Sequence, residues 1–282
     1  MTISAETPTL REIRGPSALG GGLRRFADLV WLLSVTEFKL NYFGTAFGYL
    51  WSLMRPLLLF GVLFVVFTQI LRFGGSIPHY AQGLLLCIML YSLFSDVTTR
   101  AVGSVVAGEN IVRKTQFPRL VIPLSVVLTG LFNLCLSLVA VLIFITASGI
   151  EPRVSWLALP LIVAAIALLT TGTSLLLSAL FVRFRDIGQI WSVAVLAILY
   201  GSPILYPVEK VPHSLRFLLL VNPFYPILGE ARRLIVDPTQ PSVTAAAGSA
   251  FGWIGPAIVL VAVCGFGLWA FIRMAPRVAE EL

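Results

Sequence analysis

Six long apolar runs constrain this chain more than any other feature of its sequence. An α-helix needs roughly 20 apolar residues to cross the hydrocarbon core of a bilayer, because each residue adds about 1.5 Å. The runs therefore predict an all-α integral membrane protein with six transmembrane helices. The predicted spans are residues 49–71, 80–102, 120–147, 156–181, 187–204 and 251–272.

The composition excludes a soluble protein, and the spans and their loops leave no room for a separate catalytic domain. Only 12% of the residues are charged and 58% are hydrophobic, whereas soluble domains carry about 25% charged residues. We expect one membrane domain over residues 43–273. A disordered cytoplasmic tail, residues 1–22, precedes the membrane domain and a short tail, residues 274–282, follows it.

The positions of Lys and Arg predict the orientation of the chain. With both termini inside the cell, most basic residues fall in the inner segments, as the positive-inside rule requires. The net charge of +7 therefore indicates a multi-pass membrane protein with cytoplasmic termini, rather than a nucleic-acid-binding protein. The outer segments hold only Arg72, Arg153, Lys210, Arg216, Arg232 and Arg233.

Residues 23–42 form a partly amphipathic segment that is too charged to span the membrane. Asp28, Glu37 and Lys39 leave too short an apolar run for a signal-anchor helix, which is the alternative. The pattern predicts an N-terminal amphipathic helix in the cytoplasmic interface.

Residues 105–119 are a compact polar and charged segment between the second and third spans. A helix that enters this segment must end before Pro118, because proline lacks a backbone N–H and disfavours helix at the residue before it. Such a segment is either an ordinary wet loop or a helix that docks onto a partner, and its charge alone favours the loop. Its candidate contact residues are Glu109, Asn110, Arg113, Lys114, Phe117, Pro118 and Arg119.

The segment after the fifth span is rich in proline, and its apolar stretches are too short to cross the membrane. The pattern of residues 205–236 predicts outer re-entrant helices broken at Asn222-Pro223. A plain hydrophobic loop outside the membrane is the alternative. Within the spans, Asp96 and Arg100 stand four residues apart, so we expect an ion pair between their side chains.

Sequence motifs for chemistry are absent. The chain has no Gly-x-x-x-x-Gly-Lys-Ser/Thr phosphate loop, no metal-ligand spacing among its three cysteines and no hydrolase motif. Few ionisable residues lie at mid-depth in the spans, so an ion-coupled carrier lacks its usual groups. A transport subunit driven by an external motor fits these observations.

Three stretches within residues 26–272 resemble the membrane subunit of ABC-2 type ABC transporters, in particular exporters of lipid-linked polysaccharides such as O-antigen, teichoic acid or galactan. They resemble, in order, that family's interface helix entering the first span, its coupling helix, and its fifth span with outer gate helices. The residues that carry the resemblance are Phe38, Lys39, Gly44, Leu50, Trp51, Arg55, Pro56 and Leu57; then Glu109, Asn110, Arg113, Lys114, Phe117, Pro118 and Arg119; then Ser202, Pro203, Tyr206, Pro207, Asn222 and Pro223.

The resemblance implies a homodimeric permease with two copies of an ABC ATPase, membrane lipid around it and a polyprenyl-linked glycan as substrate. ATP and Mg²⁺ would bind the ATPase, so no cofactor is expected on this chain. The polar segment is then interpreted as the ATPase-coupling helix. The expected outer gate comprises Pro203, Tyr206, Pro207, Asn222 and Pro223.

Two further sets of residues are candidates for contact with a glycan substrate. Arg24, Arg25 and Arg55 could attract a lipid pyrophosphate, although positive-inside flanking explains the same residues. Aromatic residues in the spans could form the walls of a translocation path, although such residues usually face lipid or pack between helices. The aromatic candidates are Trp51, Phe60, Phe64, Phe67, Tyr91, Trp191 and Tyr200.

Two alternatives remain open from the sequence. A drug- or lipid-exporting ABC-2 permease would share this topology and carry smaller amphiphiles. A non-transport membrane scaffold or channel would not explain the polar segment of residues 105–119.

Overall fold

The computed structural model describes residues 22–42, 48, 50–72, 77–108, 118–206, 211, 221–247 and 252–274. All regular elements within these ranges are helices, and none is a strand. The predicted tails therefore lie outside the described residues, except for Gly22 and Met274. The α-helices are α1 (Gly22–Tyr42), α2 (Leu50–Val65), α3 (Tyr80–Ala107), α4 (Val121–Ala147), α5 (Leu159–Arg183), α6 (Ile187–Gly201), α7 (Phe224–Ala231), α8 (Val243–Ala247) and α9 (Ile254–Met274).

Within the described ranges, five helical stretches are long and apolar enough to cross a membrane, and each coincides with a predicted span. A π-helical turn, Val66–Ile70, extends α2, and a 3₁₀ turn, Val154–Ala158, precedes α5. The prediction of a helical membrane protein is thus confirmed. The five stretches are Leu50–Ile70, Tyr80–Ala107, Val121–Ala147, Val154–Arg183 and Ile254–Met274.

The remaining predicted span, residues 187–204, is a shorter helix than the sequence indicates. Helix α6 has 15 residues, which is about 22 Å and less than a bilayer core. It ends at Gly201 because Ser202 is already extended and Pro203 cannot continue the helical hydrogen-bond ladder. Residues 202–205 continue as buried, non-helical backbone, and Tyr206 after them is half-buried.

Helix α3 is the centre of the bundle. In the most apolar part of α3, 72% of the residues are buried, whereas the corresponding share for the α2 stretch is 11%. It packs on α2, α4, α5, α6 and α7, and Leu84, Leu86 and Leu90 have no exposed surface. The first half of α3 is apolar on nearly all sides, which is the pattern of a helix buried among others.

Helices α5 and α9 make a close backbone contact. A Cβ atom added to Gly267 would collide with the carbonyl oxygen of Gly172, and one added to Gly172 would lie 2.7 Å from the Cα of Cys264. Small residues allow membrane helices to approach so closely that dispersion forces hold them together. The glycines therefore set the distance between these two helices.

Helix α1 occupies the residues predicted for the interfacial helix and lies against α4. Ser34, which is fully buried, donates a hydrogen bond of 3.1 Å to the carbonyl of Ser125. Thr129 Oγ1 in turn lies 3.2 Å from the carbonyl oxygen of Ser34. The position of α1 at a membrane surface stays a prediction.

Replacing Gly267 with valine should separate α5 from α9. Overpacking costs about 1–3 kcal/mol, so we expect a lower unfolding temperature for the detergent-solubilised protein. Gly265→Val is the matched control, because no heavy atom lies within 4 Å of a Cβ at Gly265. Equal unfolding temperatures for the two variants would contradict the close contact.

Candidate transport site

A polar cleft of about 440 Å³ opens between α1, α2, α3 and α4. We call it the α1–α4 cleft. The end of α1, the start of α2, the part of α3 from Ser92 to Arg100 and the middle of α4 each contribute polar residues to it. These residues are Asn41, Tyr42, Ser52, Arg55, Ser92, Ser95, Asp96, Thr99, Arg100, Asn133 and Ser137.

Arg55 and Asp96 form an ion pair in this cleft. Arg55 Nη1 lies 3.6 Å from Asp96 Oδ1, and the side chains are 84% and 42% exposed. The expected partner of Asp96 was Arg100, but Arg100 Nε instead donates to the backbone carbonyl of Asp96 at 3.4 Å. The prediction was wrong because α2 brings a second guanidinium to the carboxylate. An exposed pair of this kind stabilises the fold by only about 0–1 kcal/mol.

The polar wall extends deep into the bundle. At about 1.5 Å per residue, Arg100 lies about 10 Å from the last residue of α3, and Ser92 about 22 Å. On the opposite wall, Tyr42 Oη donates a hydrogen bond of 2.6 Å to Asn133 Oδ1. The cleft is therefore a polar column that runs from one end of the bundle towards its middle.

Helix α1 brings an acidic group close to the same column. Thr129 Oγ1 donates to Glu37 Oε2 at 3.4 Å. Burial raises the pKa of the Glu37 carboxyl, while the hydrogen bond from Thr129 and the positive charge of Arg100 oppose that rise. Two carboxyl groups and two guanidinium groups thus lie in or beside the cleft.

The three arginines predicted to contact a pyrophosphate do not converge. Arg55 lies in the cleft, whereas Arg24 and Arg25 are exposed in the first turn of α1. About 25 Å of helix separates that turn from Asn41 at the cleft. The structure instead places Arg100 beside Arg55.

The aromatic candidates for a translocation path fall into three groups. Tyr91 is buried and donates a hydrogen bond to the carbonyl of Val195, and Trp191 Nε1 donates to Thr98 Oγ1 at 3.0 Å. Both pack between α3 and α6. The partly buried residues on the α2 stretch are Phe60, Phe64 and Phe67, and the exposed residues are Trp51 and Tyr200.

Two side chains bind the backbone that follows α6. Arg232, which is 9% exposed, donates hydrogen bonds to the carbonyls of Ile204 and Tyr206. Tyr80 Oη donates to the carbonyl of Leu205 at 2.7 Å. Three consecutive carbonyls are therefore paired by side chains, which buried non-helical backbone requires.

Asn222 connects this backbone to α7. Its Nδ2 donates to Ser202 Oγ at 2.9 Å, and its Oδ1 accepts from the N–H of Phe224 at 2.9 Å. Of the other predicted gate residues, Pro203 is buried, Pro223 precedes α7, and Tyr206 Oη donates to the carbonyl of Tyr200 at 3.2 Å. Pro207 lies outside the described residues. The role as an outer gate and the re-entrant arrangement stay predictions.

Most of the predicted coupling segment lies outside the described residues, namely Glu109, Asn110, Arg113, Lys114 and Phe117. Pro118 is buried and Arg119 is half-buried. The carbonyl of Pro118 accepts a hydrogen bond of 2.9 Å from the N–H of Val121. These two residues therefore form the turn that starts α4.

Comparison with protein families identifies the chain. The family described as ABC-2 type transporter matches residues 28–235. The chain belongs to the ABC-2 type transporter family. It is thus a multi-pass membrane transport subunit rather than an enzyme, and it works with an ABC ATPase.

Curated relatives of this ABC-2 permease share most of its length. One is the O-antigen export system permease protein RfbA of Klebsiella pneumoniae, 31% identical over 212 residues, or 74% of this chain and 81% of the relative. Another is the protein of the same name from Myxococcus xanthus, 27% identical over 261 residues, or 92% of this chain and 95% of the relative.

Replacing Arg232 with methionine should destabilise the permease by about 3 kcal/mol, because buried carbonyls of Ile204 and Tyr206 lose a charged donor. The unfolding temperature in detergent measures this loss. Arg233→Met is the control, because Arg233 is 38% exposed and pairs with Glu230 at 3.3 Å. If both variants unfold at the same temperature, Arg232 does not hold the segment after α6.

Proposed function

We propose that this chain is the permease of an ATP-driven exporter that moves lipid-linked polysaccharide of the O-antigen type across the bacterial cytoplasmic membrane. One observation carries this proposal. The relative from Myxococcus xanthus matches 92% of the chain, which extends beyond the family match at residues 28–235. A drug or lipid exporter would share the family, but the names of the relatives favour a glycan. Family membership also weighs against a channel or scaffold.

Two copies of the chain would enclose the translocation path, with two ATPase subunits at the cytoplasmic end. The exposure of α2 supports this arrangement, because only 11% of the residues in its most apolar part are buried within one copy. Its aromatic residues Phe60, Phe64 and Phe67, together with Tyr200 on α6, are available to line a path between the copies. The predominance of basic residues in the inner segments supports cytoplasmic termini.

Helix α3 supports a route from the ATPase to the outer side. Its last residues are the first residues of the predicted coupling segment, and Tyr80 in its first turn binds the backbone after α6. A rigid helix that moves with the ATPase would shift that backbone, in a hinge or shear transition between two states. Tyr206, Asn222 and the prolines near them would then act as the outer gate.

Deletion of the gene in its own host tests the proposed export. We expect lipid-linked glycan to accumulate on the inner face of the cytoplasmic membrane and to disappear from the cell surface. A plasmid copy should restore surface glycan, and a copy of the operon with an inactive ATPase should not. Normal surface glycan in the deletion strain would contradict the proposal.

Charge reversal of Arg113 and Lys114 tests the coupling segment. The Arg113→Glu/Lys114→Glu variant should insert normally but lose the co-purifying ATPase, because two carboxylates then repel the surface that the two cations are proposed to bind. Quantitative mass spectrometry of the purified complex measures the ratio of the subunits. Arg11→Glu/Arg14→Glu makes the same change of charge in the predicted tail and should keep the ATPase. Retention of the ATPase by both variants would refute the role in coupling.

A further inference from the structure

An open apolar groove lies between the first half of α1 and the first half of α4. We call it the Trp31 groove. Its volume is about 450 Å³, and its α4 wall consists of four aliphatic residues between Leu124 and Leu131. Almost no polar atom lines it, so water inside it would lack hydrogen-bond partners. Its α1 wall consists of Phe26, Ala27, Val30 and Trp31.

The hydrogen bonds between α1 and α4 lie beyond this groove, towards the C-terminal end of α1. They begin at Ser34, which donates to the carbonyl of Ser125, and extend to Tyr42. Within the described ranges, no residue of α1 before Ser34 is hydrogen-bonded to α4. Trp31 instead packs edge-on against Phe132 of α4, with ring centroids 5.4 Å apart. The N-terminal half of α1 therefore depends on apolar contacts for its attachment to α4.

Arg24 is the cation at the edge of the Trp31 groove. It stands seven residues before Trp31, a spacing of two helical turns that places both residues on the same side of α1. Arg25 stands seven residues before Leu32, on the opposite side. The Arg24 side chain is exposed, and among the described residues it forms no ion pair with Asp28 or any other carboxylate. An anion beside the groove therefore meets a guanidinium group that can bind it.

The exposed apolar residues of α1 indicate which molecules the groove meets. Trp31 is 58% exposed, and Leu23, one turn before Ala27, is 78% exposed. Tryptophan is typical of the level of lipid head groups, where its ring meets hydrocarbon and its N–H meets water. With α1 at the cytoplasmic surface, as its amphipathic sequence predicts, the groove opens to the acyl chains of the inner leaflet.

We propose that the Trp31 groove holds one acyl chain of an anionic phospholipid of the inner leaflet, and that Arg24 binds the phosphate of that lipid. The chain fills the apolar space between α1 and α4 and completes the attachment of the N-terminal half of α1. Guanidinium groups bind phosphate through charge-assisted hydrogen bonds, and basic residues between membrane helices on the cytoplasmic side bind anionic head groups. A zwitterionic head group would bring its own ammonium group towards the same cation.

This phospholipid is a resident part of the permease and not its cargo. The inference therefore goes beyond the proposed export function and requires no glycan. It requires only that α1 lies at the cytoplasmic membrane surface.

Native mass spectrometry of the complete permease–ATPase complex tests the occupant of the groove. The complex is purified in detergent micelles that contain equal amounts of phosphatidylglycerol and phosphatidylcholine, and the retained lipids are counted and identified. We expect at least one phosphatidylglycerol for each permease chain. Equal retention of phosphatidylcholine would overturn the anionic head group, and a polyprenyl phosphate retained in its place would overturn a phospholipid as the occupant. A complex without lipid would show that a protein surface covers the groove, and would overturn the proposal.

Filling the groove should displace the lipid. In the Ala27→Trp variant the added ring occupies the space that Ala27 lines, so we expect one phospholipid fewer for each permease chain. Leu32→Trp is the control, because Leu32 is 64% exposed and lies outside the groove, and it should retain the wild-type number. Unfolding temperatures of the same samples show whether both variants fold. A folded Ala27→Trp variant with the wild-type number of lipids would overturn the proposal.

Arg24→Gln tests the head-group contact without changing the apolar walls of the groove. We expect the preference for phosphatidylglycerol over phosphatidylcholine to fall several-fold, because the charge-assisted contact to phosphate is lost, while the number of bound lipids stays the same. Arg25→Gln removes the same charge on the opposite side of α1 and should keep the wild-type preference. An unchanged preference in Arg24→Gln, or an equal loss in both variants, would refute Arg24 as the partner of the phosphate.

Discussion

The burial of α3 is the constraint on which the rest of the structure depends. Because the first half of this helix is apolar on nearly every side, neighbouring helices must surround it to keep that surface out of water and lipid contact. Helices α2, α4, α5, α6 and α7 all contact it. The buried backbone after α6 and the walls of the polar cleft are consequently both built against one rigid element.

The two ends of α3 carry different polar chemistry. Near its start, Tyr80 and Arg232 bind consecutive carbonyls of non-helical backbone. An interrupted helix in the hydrocarbon region needs such partners, because no water is present to bind its carbonyls. Near its end, Asp96 and Arg100 line an open cleft, where Asp96 pairs with Arg55 of α2. The first set of contacts is buried and stabilising, while this ion pair is exposed. A helix that joins both can transmit a change at one end to the other.

The sequence predicted the helices well because hydrophobic length is a local property. It failed where the deciding contact came from another helix. Helical spacing predicted an ion pair between Asp96 and Arg100, but the ion pair in the structure joins Asp96 to Arg55 on α2. Arg232 resembled an ordinary loop cation, and only the folded chain shows that its side chain is buried against carbonyls after α6. The sequence could not distinguish Tyr91 and Trp191 from aromatic residues that line a path. It does not show which side of α3 packs against α6.

Transport by the purified complex tests ATP-driven glycan export most directly. The permease and its ATPase would be reconstituted into liposomes with a lipid-linked glycan, and a lectin that cannot cross the bilayer would report glycan reaching the opposite face. We predict that glycan becomes accessible or protected, according to the orientation of the complex, only with hydrolysable ATP. Movement of the glycan without ATP, or none with an active ATPase present, would contradict the proposed export.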